Sequence, residues 1–352
     1  MIKNQRGVEA HEILFSEKWK IVFLLVSFFI LIAIISTALS SGAYSVNPFM
    51  AFKIVMSHIF SFLDLDIQKI QDTVIWKIRA PRVMLAALTG MTLATSGVIF
   101  QGCFRNPLVD PYILGVSSGA AFGAALGFVF TNIVLSTQIL AFAFGTIAVF
   151  GSYTIARTRG ETPVISLILA GVIIGSIFSA LVSIMKYIAS STALREIVFW
   201  LMGGFYYANW DDVLKVSPFL VLGFSIVWLM GWKLNIISMG DEQARSLGVH
   251  PEKYKMVLIM TATLQTALAV SLVGVIPWVG LMMPHAARMM LGPDHRFLIP
   301  CSAIFGALYL IVCDTLARTI SSAEIPVGII TSLAGAPYLF YLLRAKRYEL
   351  FG

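Results

Sequence analysis

Apolar runs of about 20 residues, enough to cross roughly 30 Å of hydrocarbon at 1.5 Å per residue, recur ten times along this chain. They fall near 21–40, 83–101, 113–130, 138–156, 164–187, 213–233, 257–275, 279–291, 298–318 and 326–344. A backbone in lipid must satisfy its own polar groups, and single runs of this length do so as helices. The expected fold class is therefore all-α, a polytopic membrane protein of about ten transmembrane helices. Composition agrees, with 58% hydrophobic and 12% charged residues, about half the charge of a soluble domain. The first run is longer than a signal-peptide core and follows a polar stretch, so it reads as a retained helix. The chain divides into a tail, 1–20, and a single membrane domain, 21–352.

The stretch from Arg79 to Gly127 organises the rest. Two arginines, Arg79 and Arg82, open it. A small-residue apolar segment leads to a polar hairpin that begins at Gln101 and contains Asn106, Pro107, Asp110 and Pro111. Each proline lacks an N–H and restricts its predecessor, so the hairpin cannot continue the helix. Gly115, Gly119, Gly123 and Gly127 then recur every fourth residue, baring one helix face to a close neighbour. Between the first two spans, Phe52, Val55, Met56, Ile59, Phe60 and Leu63 recur at helical spacing opposite Lys53, Ser57, Ser61 and Asp64. That pattern predicts an amphipathic helix at the membrane surface.

Basic residues set the orientation. With the N-terminus in the cytoplasm, 16 of the 25 Lys and Arg fall inside, which places both termini on the cytoplasmic side. Lys77, Arg79, Arg82 and Arg318 are then left outside, which suggests a partner surface there. Asp314 and Arg318 stand four apart, as a local ion pair or as a carboxylate orienting an outward arginine. An offset of 177 aligns Gly97, Val98, Ile99, Pro107, Leu114 and Gly115 with Gly274, Val275, Ile276, Pro284, Leu291 and Gly292. Pro163-Val164 is likewise echoed by Pro326-Val327. The copies, spans 2–5 and 7–10, start five crossings apart, so the second is inverted, as in many transporters.

The largest inside loop, about 234–256, contains Gly240, Asp241, Glu242, Ala244, Arg245, Leu247 and Gly248. Ala244 and Leu247 give a short apolar face, and Gly248 can end a helix. Two readings are open, a docking element for another subunit or a solvated connector. No G-x-x-x-x-G-K-[ST] phosphate loop occurs, so any ATPase would be a separate subunit. Gly115 to Gly119 fits G-x-S-x-G, but a proline turn stands where a nucleophile elbow needs a strand. His11-Glu12 lacks the second histidine of a zinc-protease helix. Cys103, Cys301 and Cys313 have no ligand spacing and read as small buried hydrophobes. The net charge of +7 fits basic loop anchors rather than nucleic acid. No cofactor, no metal site and no catalytic residue are expected.

Long segments resemble the FecCD family, permease subunits of type II ABC importers for iron–siderophore complexes, cobalamin, haem or molybdate. They are RAPR (Arg79–Arg82), GVIFQGCFRNPLVDPYILGVSSGA (Gly97–Ala120), WLMGGF (Trp200–Phe205), GDEQARSLGV (Gly240–Val249), GLMMPHAARMMLGPDHR (Gly280–Arg296), DTLAR (Asp314–Arg318) and IPVGIITSLAGAPYLFYLL (Ile325–Leu343). Pro277 and Trp278 depart from the family pattern. The resemblance implies a permease dimer, homodimeric or with a related chain, two cytoplasmic ATPase subunits and an external solute-binding protein. It implies that Arg79, Arg82 and Arg318 receive the binding protein, that Gly240–Val249 couples to the ATPase, and that the turn Gly160–Val164, with Thr162 and Pro163, forms the inner gate. The expected function is passage of a metal chelate, an iron(III)–siderophore first, with cobalamin, haem or molybdate as alternatives. Competing readings are a self-sufficient secondary transporter, which would usually carry intramembrane carboxylates, and an intramembrane hydrolase.

Overall fold

The computed structural model describes residues 16–42, 44–60, 67–132, 134–157, 162–321 and 323–345. The tail 1–15 with His11-Glu12, the residues Ser61, Leu63 and Asp64, and positions 160–161 of the expected gate turn lie outside that set. Fourteen helices follow in chain order: α1 (Glu17–Ser40), α2 (Pro48–Ile59), α3 (Lys69–Phe104), α4 (Val116–Val129), α5 (Thr137–Ala156), α6 (Val164–Ile188), α7 (Ser191–Met202), α8 (Trp210–Leu229), α9 (Gly231–Met239), α10 (Asp241–Ser246), α11 (Pro251–Val273), α12 (Val279–Leu291), α13 (His295–Thr319) and α14 (Val327–Ala345). Among the described residues there is no strand. All ten expected runs are helical. Among the described residues seven helices (α1, α3, α5, α6, α8, α11 and α13) are long and apolar enough to cross a membrane. The expected spans on α4 and α12 are shorter, 14 and 13 residues, and α14 runs 19 residues.

Within α3, 83% of the apolar window is buried, against 11% for α1, so α3 is the axis and α1 lies at the periphery. Around α3 pack α13, α11, α12 and α8. Lipid offers no hydrophobic drive for helices to associate, so contact depends on close backbone approach at small residues. A Cβ on Gly90 would lie 2.1 Å from the Gly306 carbonyl of α13, and one on Gly306 would lie 2.1 Å from that of Gly90. A Cβ on Gly97 would lie 1.8 Å from the Gly280 carbonyl of α12. The four-residue glycine spacing is read by α5, which seats Phe144 on Gly119, Leu140 on Gly123 and Thr137 on Gly127. Gly115 does not share that face. It precedes α4 with φ +82° and turns the chain from the 3-10 segment Pro111–Leu114 into the helix, a conformation that favours glycine.

The amphipathic segment is a helix, α2, but its buried stripe is Ala51 and Ile54, both fully covered, while Phe49 and Phe52 are exposed. Phe52 and Phe60 of the expected apolar face are thus open to contact lipid. Entry into α3 is a π segment, Thr73–Arg79. Helix α7 has no counterpart among the expected spans.

The inverted repeat holds at the level of elements and fails at the offset of 177. Gly97 lies mid-helix, whereas Gly274 ends α11 with φ +73°. Pro107 is in a loop, whereas Pro284 lies inside α12. Structural starts align at 163 instead. Residues 116 and 279 open α4 and α12, and residues 164 and 327 open α6 and α14. Gly115 and Trp278, also 163 apart, both have left-handed φ, +82° and +77°. The pairings repeat too, since α3 packs on α13 and α11 on α5.

Gly97→Ala is expected to lower the thermal unfolding midpoint in detergent, by the roughly 1–3 kcal/mol of an overpacked contact. Gly151→Ala, whose added Cβ would meet only the Ile174 side chain at 3.4 Å, is expected to leave the midpoint unchanged or raise it.

Candidate functional site

The residues singled out by sequence gather at two ends of α3, about 33 Å apart for the 22 helical steps from Arg82 to Phe104. At the first end, the expected docking arginines are all present and all engaged within the chain. Arg79 Nη1 donates to the carbonyls of Leu39 (2.9 Å) and Ser40 (3.1 Å), and Nη2 to that of Tyr44 (2.6 Å). Arg318 donates to the carbonyls of Ser41 (2.7 Å) and Ala38. Two guanidinium groups thus cap the unpaired carbonyls at the C-terminus of α1, where the helix dipole favours positive charge. Arg82 Nε and Nη2 hold Asp314 at 2.9 and 2.8 Å, and Nη1 holds Glu324 at 2.8 Å.

Asp314 is 1% exposed, and its anticipated i,i+4 partner Arg318 is the longer contact, at 3.6 Å. Arg318 therefore does not face outward; it is turned onto α1. Glu324 was not foreseen, because 242 residues of sequence separate it from Arg82. Exposed charge at this end includes Lys77 and Glu324.

At the other end the hairpin is locked by its own side chains. Gln101 Nε2 donates to the carbonyls of Gly280 (3.3 Å) and Leu281 (3.4 Å), and its Oε1 accepts from Arg288 (3.0 Å). Asn106 accepts from the Leu108 N–H and Asp110 from the Tyr112 N–H, both Asx turns. Pro107 lies in the turn, and Pro111 opens the 3-10 segment and abuts Gly280. Tyr112 Oη donates to the Ile276 carbonyl at 2.9 Å. The two chain breaks, one before α4 and one before α12, are therefore bonded to each other. The departures Pro277 and Trp278 sit in the second break. Burial pushes the Asp110 carboxyl up to about 6, against the Tyr112 N–H bond that lowers it.

The loop 234–256 folds as α9, α10 and the start of α11. Gly240 (φ +131°) and Gly248 (φ +74°) bound α10. Asp241 takes both 2.7 Å bonds from the buried Lys255 ammonium. Ala244 is fully buried against Ile236, Val249 and Tyr254. Glu242, Arg245 and Leu247 point outward, and Leu247 is 58% exposed. The expected shared face of Ala244 and Leu247 is thus split, one anchoring α10 and the other presented. Thr162 is buried, with Oγ1 3.4 Å from Tyr153 Oη, and Pro163 caps α6. Thr162 and Lys255 line one small void, about 10 Å³, together with Cys103 and Tyr153. Lys255 is the residue that sequence reasoning passed over; only its spacing of 14 from Asp241 across α10 hints at the pair.

Ser117 and Ser118 follow a 3-10 turn, not a strand, so they do not form a nucleophile elbow. Cys103, Cys301 and Cys313 are free and buried. Among the described residues no cluster of three metal-ligating side chains occurs.

A helical bundle wound about one buried span, broken before two short helices and carrying polar apparatus at its two ends, defines a membrane permease. The chain belongs to the FecCD transport family, whose sequence pattern it matches over residues 29–345. It is 41% identical over 285 residues to the cobalamin import system permease protein of Halobacterium salinarum, covering 81% of this chain and 77% of that one. It is 39% identical to the molybdate import system permease protein of Haemophilus influenzae, covering 93% and 96%. It is 38% identical to the hemin transport system permease protein of Yersinia pestis, covering 79% and 85%. A solved inward-facing conformation of a metal-chelate type ABC transporter superposes with a TM-score of 0.80 at 36% identity, covering 92% of this chain and 99% of the other.

Asp314→Asn is expected to destabilise by about 3–5 kcal/mol, because the buried Arg82 guanidinium loses the buried one of its two charge partners. Adding Arg82→Gln should recover part of that loss, read as a positive coupling in a thermal double-mutant cycle. Asp110 binds its proton more tightly folded than unfolded, where a carboxyl titrates near ~3.9. That stabilisation is present below ~pH 4 and lost as pH rises through about 6. Asp110→Asn is accordingly expected to flatten the stability profile between ~pH 4 and ~pH 7, measured by thermal unfolding.

Proposed function

We propose that this chain is the membrane subunit of an ATP-driven importer that passes a metal chelate, with a ferric siderophore as the first cargo and cobalamin, haem or molybdate as alternatives. It works as a dimer, with itself or with a related permease. Two ATPase subunits sit on the Asp241 side, taken as cytoplasmic with both termini from the basic-residue bias. A solute-binding protein docks at the Arg82 side. Hydrolysis belongs to the ATPase subunits, and the permease catalyses no reaction of its own.

The observation that carries the reading is the α10 knuckle. Its outward residues Glu242, Arg245 and Leu247 offer a docking face, and its inward residue Asp241 is tied to Lys255, which shares a void with Thr162. Closure of an ATPase dimer would push α10, and the Asp241–Lys255 pair would carry the displacement into α11 and the gate turn at Thr162 and Pro163. The ATPase state then favours one of two permease conformations, which is all that alternating access requires. At the outer side, Arg79, Arg82 and Arg318 are spent on α1, Asp314 and Glu324. Their role in docking is to hold that surface in shape and leave three cations against two carboxylates, a net positive seat for an acidic lobe. A secondary carrier would usually carry a carboxylate within a span free to take up an ion, and the one buried in α13, Asp314, is neutralised by Arg82.

The test is uptake into proteoliposomes holding this chain, its ATPase and its binding protein, with ferric siderophores, haem, cobalamin and molybdate supplied in turn. ATP-dependent uptake of one cargo is expected. Lys255→Met should leave ATP hydrolysis intact while lowering uptake per ATP about tenfold, within the usual range of coupling energies. Uptake that persists without the ATPase subunits would overturn the reading and put the secondary carrier in its place.

A further inference from the structure

A groove of about 360 Å³ runs between α4, α6 and the end of α7, and closes against Val275 at the break before α12. Its polar wall is Ser117 and Ser118 from α4 and Ser179, Ser183 and Lys186 from α6. The three α6 residues stand at i, i+4 and i+7, so they share one helix face. Ser179 Oγ donates to Ser118 Oγ at 3.4 Å, and Ser183 donates to the Ser179 carbonyl at 3.0 Å. These hydroxyls can rotate to face a ligand. Among the described residues Lys186 forms no ion pair, and no acidic residue lines the groove.

Most of the rest of exposed α6, including Ile173, Ile177 and Ile184, is apolar and suited to lipid or a neighbouring chain, and Ser176 there bonds back to the Val172 carbonyl. A cluster of hydroxyls ending in an ammonium without an ion pair is not so suited, because an uncompensated charge in hydrocarbon is costly and marks a substrate path. The last-turn position of Lys186 also places it favourably for the α6 dipole. That placement explains a cation near the helix end. It does not explain four hydroxyls converging on the same groove.

We propose that this groove is a contact surface for an anionic cargo, either an oxyanion or a negatively charged metal chelate, with Lys186 supplying the charge and the four serines the hydrogen bonds. This rests on the importer reading and narrows its substrate class. Lys186 acts on cargo affinity and is not needed for ATP hydrolysis.

Two measurements test it. In the first, uptake is compared for molybdate, an anionic ferric tricatecholate and neutral cobalamin, the first two arms separating oxyanion from chelate. Lys186→Gln should raise KM for the transported anion about tenfold, the effect of losing one charged hydrogen bond. Lys186→Arg should restore it, and kcat for ATP hydrolysis should not change. Preference for cobalamin, or an unchanged KM in Lys186→Gln, overturns the inference even if ATP-dependent uptake stands. The second needs no transport. Ser179→Cys, with the three native cysteines buried, should react faster with an anionic than with a cationic methanethiosulfonate, and Lys186→Gln should remove that preference. Equal rates in both backgrounds overturn it. A charge preference with no ATP-driven uptake of any cargo would sustain the anion surface while removing the importer reading.

Discussion

Backbone contact at glycine is what the rest of this bundle depends on. Gly90 and Gly306 press α3 and α13 together carbonyl to Cα, and Gly97 does the same for α3 and the start of α12. In a membrane the tails of the lipid are as apolar as the side chains, so such contacts must supply through dispersion and fit what burial supplies in water. Their consequence is positional. With α13 drawn against α3, Asp314 lies opposite Arg82; with α12 drawn against α3, Gln101 reaches the carbonyls of Gly280 and Leu281. The polar groups at the two ends are fixed by an apolar register between them.

Those polar groups are themselves costly. A buried guanidinium or carboxylate is tolerated only when its partner and hydrogen bonds are in place. Arg79 and Arg318 meet that condition by a different route from Arg82, spending their donors on the free carbonyls that end α1. This ties the least buried of the long apolar helices to the core without any demand on its apolar face. On the importer reading, it also explains how basic residues can sit at the outer face. Each is satisfied by the fold before any partner arrives.

The helices and the central hairpin were legible because their signals are local. Apolar length, two prolines four apart and glycines at helical spacing each act within a turn or two of chain. Gly119, Gly123 and Gly127 met α5 as their spacing required, whereas Gly115 served as a turn, since a 3-10 segment precedes it. The partners of the arginines were not legible, because Glu324 and the α1 carbonyls reach them only through the tertiary fold. Ala244 and Leu247 were assigned one face because they stand three apart; α10 ends before Leu247, which leaves the second residue free to point outward. The repeat was visible but misregistered, since chance identities among glycines and valines outweighed the one echo, Pro163-Val164 with Pro326-Val327, that marks true starts.

That register carries a further consequence. At an offset of 163, Gly115 and Trp278 are equivalent, and each holds a left-handed residue immediately before a short helix. Glycine adopts that conformation freely, but tryptophan does so at a cost of about 1–2 kcal/mol. The cost is borne at the point where Tyr112 bonds across to Ile276 and where Trp278 packs against Gly335 of α14. One half of the repeat is thus relaxed at its break and the other is held under strain by its neighbours. Two states of similar energy are easier to reach from such a pair than from two relaxed breaks, because release of the strained one offsets packing given up elsewhere. On the importer reading, the α12 break is the place where a shift of α14 against α12 would be taken up, since Gly335 of α14 seats on Trp278 there.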